Sequence, residues 1–223
     1  LRGSDILYSP VALSFFYLSA HERVLFIDSC KVDSEVAAHL TSNNIKAMDY
    51  DKVEKYLERI STYSNVMLDP NKVSDTLANA MPCGKIYTAS PVASLKGVKN
   101  ETQINGFRKA MERDGAALVR VFRRLESEVA AGNLTEITVA EWLSEERGKM
   151  DLNMGDSFAS ICGYKDHGAI VHYEAEPGTE YSLAPSGLLL VDSGAQYLDG
   201  TTDIPRTITL GNPTPDEIHD FTL

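Results

Sequence analysis

The sequence has few cysteines and no long apolar run. Its 223 residues include only three cysteines, Cys30, Cys83 and Cys162, and no two of them form the C-x-x-C pair typical of zinc and redox sites. Three widely spaced thiols are most simply small buried side chains in a reducing compartment. No apolar run approaches the roughly 18 residues that a membrane-spanning helix needs. These absences predict a soluble, cytoplasmic protein with no membrane partner.

Basic residues are also scarce, above all near the end of the chain. The formal net charge is -11, and residues 171–223 carry nine acidic side chains against a single base, Arg206. Such a surface repels phosphates, which argues against nucleic acid or an anionic membrane as partner. It suits a cation. The chain also lacks the G-x-S-x-G elbow of serine hydrolases and the glycine-rich fingerprints of phosphate and dinucleotide sites.

Two patterns of secondary structure meet near residue 95. Before it, short β-rich runs alternate with helical stretches, which predicts an α/β domain over residues 1–95. From residue 96 to residue 223, helices are followed by a set of strands, which predicts an α+β domain. The β-rich runs of the first part are 11–18, 23–27, 65–68 and 85–88, and its helical stretches are 33–42, 51–61 and 71–80.

The second part begins with helical signals. Asn100 and Gln103 form a cap for one helix of about 30 residues, which Gly132 ends. Thr138 and Glu141 are expected to cap a second helix. Short β-rich runs follow from about residue 157: SFASICGY, GAIVHY, GLLLVDSG and RTITL.

Both ends of the chain look cut. Leu1 stands where an initiator methionine is expected. At the other end, Thr214 and Glu217 form a capping box with Pro215 at the first helical position. This pattern predicts the start of a helix, but the sequence stops soon afterwards at Leu223. We therefore expect a fragment of a longer protein.

Two aspartates stand out in LLLVDSGAQYLDGTTDIPRT, residues 188–207. Asp192 ends an apolar strand, and Asp203 follows eleven residues later with no basic residue between them. An Asp-Gly turn signal at 199–200 places them on the arms of a hairpin. A hairpin centred at 197–198 would put the two directly opposite each other, whereas one centred on the Asp-Gly pair would offset them. The sequence leaves this register open.

Opposed carboxylates repel each other, and a bound cation removes that penalty. Hard oxygen ligands favour Mn, Mg or Ca, and a metal pair can activate water for hydrolysis. The alternative is structural, since Asp192 can end a strand at a Ser-Gly turn and Asp203 can serve the turn before it. The DGTTD stretch does not fit an EF-hand loop. An aspartic protease would need a second copy of the Asp-Ser-Gly element, and the chain has one.

Two histidines flank the apolar run Ile170-Val171. His172 ends the expected strand GAIVHY, where a structural role and a catalytic role both remain open. His167, in the polar turn KDHG, is expected to be solvated.

These same residues resemble a known family. GAIVHY followed by LLLVDSGAQYLDGTTDIPRT resembles the metal-binding half-site of Xaa-Pro aminopeptidases (aminopeptidase P), which are creatinase-like metallopeptidases with a pita-bread fold. LRGSDI and VKNETQINGFRKA are similar to that family's second domain and to the start of its catalytic domain. The resemblance implies a partial creatinase-N-terminal-like α/β domain over residues 1–95, then the first half of a pita-bread domain over 96–223.

The resemblance also implies roles for four residues. Asp192 and Asp203 match two ligands of a pair of divalent metal ions, usually manganese. His172 matches a catalytic residue that approaches the substrate at the scissile carbonyl, and Phe158 matches an aromatic residue that lines the pocket for the first side chain. The implied activity is hydrolysis of the bond between an N-terminal residue and a following proline, in a peptide substrate.

The chain departs from the family pattern in two ways. A histidine and two glutamates that complete the metal site in the family have no match here, so the fragment is expected to bind metal poorly and to be inactive alone. Pro205 replaces a threonine and predicts an edge strand, because it has no amide N–H to donate. Unpaired strand edges make a homodimer plausible. The alternative hypothesis is that the protein is a non-catalytic pita-bread protein that serves as a binding module.

Overall fold

The computed structural model describes residues 2–222, so Leu1 and Leu223, at the two ends expected to be cut, lie outside the described residues. The chain forms two compact units, one up to Val98 and one from Lys99 onward. None of the helices within residues 2–222 is long and apolar enough to cross a membrane.

The first unit is an α/β unit, as the alternating pattern predicts. It has two small sheets: β1, β2 and β3 form one in that order, with an antiparallel and then a parallel pair, while β4 and β5 pair in parallel. Its elements are β1 (Ser14–Leu18), β2 (Arg23–Ile27), α1 (Ser34–Ser42), β3 (Lys46–Met48), α2 (Val53–Leu57), β4 (Asn65–Leu68), α3 (Asp75–Ala80), β5 (Gly84–Tyr87) and α4 (Pro91–Gly97).

Strand β2 organises the core of this unit. Four of its five residues are buried, and they point alternately to the two faces of the sheet. Val24 and Phe26 join a core with α2, α3 and β4, whereas Leu25 and Ile27 pack against Leu40 of α1. A strand that is buried on both faces has a continuous apolar run, and this is why the sequence RVLFI predicts a strand.

Local signals predict the first unit well. Each predicted run overlaps an observed element of the same type. Two elements were missed: the three-residue strand β3, which is too short for a period, and helix α4, which occupies the expected junction. Ser90 caps α4, and Pro91 stands at its first position.

As far as Thr222, the second unit contains two long α-helices, two three-stranded antiparallel sheets and a last short α-helix. The sheet orders are β10-β9-β6 and β11-β8-β7. Its elements are α5 (Glu101–Glu128), α6 (Glu136–Gly148), β6 (Asn153–Asp156), β7 (Ile161–Tyr164), β8 (Leu188–Ser193), β9 (Ala195–Tyr197), β10 (Gly200–Thr201), β11 (Ile204–Thr209) and α7 (Pro215–Phe221).

The helices of this unit begin at capping boxes. Helix α5 starts after Asn100, whose side chain and that of Gln103 satisfy each other's backbone N–H groups, as predicted. Helix α7 likewise begins after the Thr214 box. The prediction for α6 was wrong by one turn: Thr135 is the cap, and Thr138 is its partner three residues later.

The stretch GAIVHY is not a strand, contrary to the prediction. A 3-10 helix spans Lys165–Ala169, and a turn follows at Val171 and His172. An apolar β-branched pair suggested a strand, yet Ile170 is 51% exposed and Val171 is 83% exposed. Neither side chain packs into the hydrophobic core. The segment is fixed instead by polar contacts described below.

Helices α5 and α6 cover one face of the β11-β8-β7 sheet. Val121 and Leu125 of α5, Leu143 of α6, and Leu189 and Val191 of β8 lie in one core and are fully buried. Residues 189, 191 and 193 of β8 are buried, whereas 188, 190 and 192 are half-buried. The helices therefore fix which face of β8 is hidden, and Asp192 lies on the other face.

The hairpin after β9 packs closely on α5. A Cβ atom at Gly106 would lie 2.2 Å from the carbonyl oxygen of Asp199, so only glycine allows this approach. Asp199 also forms an ion pair with Arg113 of α5. Contacts between the turn and the helix thus fix where the hairpin turns.

A buried ion pair joins the two helices to the end of β8. Arg147 of α6 donates to Asp114 of α5 through Nε at 2.8 Å and through Nη2 at 3.0 Å, and both residues are fully buried. Arg147 Nη2 also donates to Ser193 Oγ, and the Tyr197 hydroxyl donates to Asp114. The pair therefore holds the residue next to Asp192.

Removing one partner of this pair should be costly. Arg147→Ala leaves the Asp114 carboxylate buried without its cation, and we expect a loss of about 3–5 kcal/mol in the free energy of unfolding, measured by urea denaturation. Lys149→Ala, which removes the ion pairs of the half-exposed Lys149 side chain with Glu145 and Glu146 at the end of the same helix, is the control and should cost much less. Equal losses for the two variants would contradict a structural role for the buried pair.

Candidate metal centre

The strand register places the two aspartates diagonally. Asp192 of β8 is paired with Pro205 of β11, and Gly200 pairs with Tyr197 across the turn. Asp203 is two residues before Pro205 and therefore points to the same face of the sheet. Neither predicted hairpin register is correct, because the turn centres between the two proposed positions.

The two carboxyl groups are close in space. Burial raises the pKa of Asp192 above its ordinary value, and the charge of Asp203 and a hydrogen bond with Asp203 raise it further, whereas the charge of His172 lowers it. The structure therefore brings three of the four predicted site residues into electrostatic contact.

Asp192 has no protein partner on one oxygen. Its neighbours across the strands are Ile161 of β7 and Pro205 of β11, and neither offers a side-chain donor. Oδ1 of Asp192 is buried without a hydrogen-bond partner. A buried acceptor left unpaired is costly, and a cation would satisfy it.

The donor set suits a hard cation in part. Two carboxylates on one face supply oxygen ligands of the kind that manganese, magnesium and calcium take. Within residues 2–222, no group of three or more His, Cys, Asp or Glu side chains is arranged to hold a metal ion. The described residues thus offer two carboxylate ligands to such an ion.

His172 lies in a turn, not at a strand end. Its φ is +56°, which is unusual for a residue other than glycine, and its side chain is exposed. The charge of the imidazole acts on the Asp192 carboxyl, so the exposed ring lies within electrostatic range of that carboxyl.

Phe158 lies in the loop between β6 and β7 and is half-buried. Its neighbour Ser157 fixes this loop: the amide donates to Gly194 O at 3.0 Å, and the hydroxyl donates to Thr202 O at 2.9 Å. Gly194 and Thr202 are each close in sequence to one aspartate. The loop that carries Phe158 is therefore held beside both carboxylates.

Sequence reasoning missed the residues that support the site. Asp114 and Arg147 occupy positions of the buried helix faces, where apolar residues are expected. Two opposite charges at such positions on neighbouring helices are the signal that could have identified the pair. Glu136, also fully buried, left no comparable signal because it stands in the first turn of α6, where acids are common.

The prediction that His167 is solvated was wrong. Its ring stacks on Tyr181 with centroids 3.6 Å apart, and Nδ1 lies 3.0 Å from both carboxylate oxygens of Glu136. The polar turn KDHG gave no hint of this partner, which lies 31 residues earlier in the chain.

Two family models match the chain, one to each part. Residues 1–103 match the creatinase/prolidase N-terminal domain, and residues 105–223 match metallopeptidase family M24.

Individual relatives match the whole chain. Aminopeptidase P2 of Arabidopsis thaliana is 34% identical over 255 residues, and a probable Xaa-Pro aminopeptidase P of Laccaria bicolor is 39% identical over 229 residues. Both matches cover 100% of this chain, but only 36% and 35% of the relatives. The chain thus spans about a third of the length of these relatives.

Solved structures match as well. The X-prolyl aminopeptidase of Caenorhabditis elegans, described as a cytosolic enzyme with a di-nuclear active site, superimposes with a TM-score of 0.88 at 31% identity. That match covers 96% of this chain and 36% of the other. A Xaa-Pro dipeptidase of Bacillus anthracis, at 17% identity and a TM-score of 0.77, shares the fold over 95% of this chain and 59% of its own.

The raised pKa of Asp192 has a consequence for stability. The folded state binds this proton more tightly than the unfolded state, so the group's contribution to the free energy of unfolding falls as pH rises through the raised pKa. In the presence of a chelator, we expect Asp192→Asn to be more stable than the unmodified protein at about pH 7. The gain should vanish near pH 3, where the carboxyl is protonated in both states.

Urea denaturation across this pH range measures the difference. Asp151→Asn, at an exposed turn, is the control and should show no such pH-dependent gain. A stability difference for Asp192→Asn that does not grow with pH would contradict the electrostatic account of the pair.

Proposed function

This chain belongs to metallopeptidase family M24, and from that membership we propose that the protein of which it is a part is a metal-dependent aminopeptidase. The proposed reaction releases the N-terminal residue from peptides that have proline in second place. Relatives carry that activity in their names, and the chain spans only about a third of their length, so the proposal concerns the longer protein.

One observation carries the proposal. Oδ1 of Asp192 is buried without a partner beside a second carboxylate, that of Asp203. We propose that both hold a pair of divalent ions, with manganese as the expected metal. When bound, such a pair supplies an activated water and stabilises negative charge in amide hydrolysis.

The remaining roles follow from position. We propose that His172 donates a hydrogen bond to the carbonyl oxygen of the scissile amide as negative charge develops there. Its exposure and its place beside Asp192 support this role. We propose that Phe158, half-buried in the loop next to both aspartate strands, lines the pocket for the side chain of the N-terminal residue.

The isolated 223-residue chain is proposed to be inactive. Asp192 and Asp203 are two of the five ligands that the family pattern contains, and the other three are expected from the rest of the protein. Two carboxylates alone leave most of the coordination of a divalent ion to water. The isolated chain should therefore bind manganese weakly and hydrolyse nothing.

Two further predictions stay proposals. A cytoplasmic location is supported by the description of the Caenorhabditis elegans enzyme as cytosolic. A homodimer is supported by the sheet edges, since β1 and β11 each have a strand on one side only among residues 2–222.

The non-catalytic alternative fits the geometry less well. A binding module that has lost its metal has no use for two adjacent carboxylates with a buried oxygen lacking a partner. In that case the pair would only cost stability, because like charges that approach each other repel. The geometry therefore favours the metallopeptidase.

Activity of the full-length protein tests the proposal. With manganese present, it should release alanine from Ala-Pro-Ala faster than from Ala-Ala-Ala, and a chelator should abolish the release. Asp192→Asn and Asp203→Asn should each lower kcat/KM by more than the roughly 10–100-fold loss typical of groups behind a metal ligand. Chromatography of the released amino acid measures the rates.

Asp216→Asn, an exposed aspartate of α7, is the control and should retain activity. Full activity of the Asp192→Asn/Asp203→Asn double variant would refute the proposed metal centre. Absence of any manganese-dependent cleavage by the folded, full-length protein would instead favour the binding module.

A further inference from the structure

Glu136 is a fully buried carboxylate with four donors around it. Oε1 accepts from the Tyr164 amide at 2.7 Å, and Oε2 accepts from the Tyr181 amide and the Tyr173 hydroxyl, both at 2.8 Å. Nδ1 of His167 completes the set at 3.0 Å. A carboxylate has about four lone-pair sites, so this set fills its capacity.

All four donors come from one segment. They lie between residues 164 and 181, at the end of β7 and in the long connection that follows it, and His172 lies between them in sequence. Backbone hydrogen bonds also attach this segment to the start of α6: the Glu136 amide donates to Tyr181 O, and the Leu183 amide donates to Leu134 O. The start of α6 and the residues just before it therefore anchor the chain on both sides of His172.

Aromatic stacking links the donors to each other. The His167 ring lies 3.6 Å from the Tyr181 ring at 13° and 4.4 Å from the Tyr173 ring at 33°. Nδ1 of His167 lies at the Glu136 carboxylate, and the same ring contacts both tyrosines that donate to Oε2. The stack and the hydrogen bonds thus form one unit.

His172 depends on this unit through its neighbour. Its left-handed backbone conformation costs roughly 1–2 kcal/mol, so adjacent contacts must impose it. The Tyr173 amide closes the turn by donating to Ile170 O at 3.2 Å, while the Tyr173 side chain is buried with its hydroxyl on Glu136. His172 itself is exposed, and its side chain makes no hydrogen bond among those described within residues 2–222.

We propose that Glu136 is a positioning residue for the aminopeptidase reaction: through Tyr173 and His167 it sets the place of His172 at the metal centre. The inference rests on the proposed function of His172. Glu136 does not touch the substrate in this account and acts only through the connection it anchors.

A double-mutant cycle in the full-length protein tests the link. Tyr173→Phe removes one hydroxyl and keeps the ring, so the stack with His167 survives. We expect kcat to fall several-fold with little change in KM, since His172 acts on charge that develops in the transition state. In a His172→Ala background, Tyr173→Phe should cause no further loss of kcat.

Tyr164→Phe is the matched control. Its hydroxyl donates to Ser186 O in the same connection, away from His172. We expect it to lower the melting temperature about as much as Tyr173→Phe while kcat stays unchanged. An equal fall in kcat for Tyr173→Phe with and without His172, or no fall at all, would overturn the inference.

Hydrogen exchange gives a readout that does not depend on activity. In Glu136→Gln and in Tyr173→Phe, the segment 164–181 should exchange faster than in the unmodified protein, with β8 unchanged. Unchanged exchange in the segment would overturn the inference. If His172→Ala leaves kcat intact, the proposed role of His172 fails, and faster exchange would still establish Glu136 as the anchor of this segment.

Discussion

The pairing of β8 with β7 and β11 is the constraint on which the site depends. It puts Asp192 between Ile161 and Pro205, with Asp203 on the diagonal. Side chains alternate along a strand, so burying 189, 191 and 193 against the helices leaves 192 on the opposite face. A slip of one residue would place Asp192 in the apolar core and expose Leu189 and Val191. The packing of the helices therefore enforces the geometry of the carboxylates.

Two buried polar networks fix parts of the site that strand pairing does not: the end of β8 and the connection that carries His172. Arg147 and Asp114 fix Ser193 at the end of β8, while Glu136 fixes the connection that carries His172. The first network joins α5 to α6, and the second begins at Glu136 of α6; these helices also supply the apolar core. Buried charges of this kind are costly when unpaired and rigid when satisfied. The site is thus assembled by helices that do not themselves supply its proposed ligands.

The sequence alone predicted the helices and strands that depend on local signals. Capping boxes identified α5 and α7, and continuous or alternating apolar runs identified β2 and β8. The family resemblance identified the partial creatinase-like and pita-bread fold, which the family models and the solved structures confirm. The predictions that were wrong concern features that contacts between distant residues determine. The hairpin register depends on the close approach of Asp199 to α5, and the shape of GAIVHY depends on Glu136, over 30 residues away.

The central claim is that Asp192 and Asp203 hold metal. Crystals of the full-length protein grown with manganese, measured by X-ray diffraction near the manganese absorption edge, would locate the ions by anomalous scattering. The account predicts a pair of peaks about 3.5–4 Å apart, with carboxylate oxygens of both aspartates as ligands. Anomalous peaks elsewhere in an active protein, with none at the two aspartates, would contradict it.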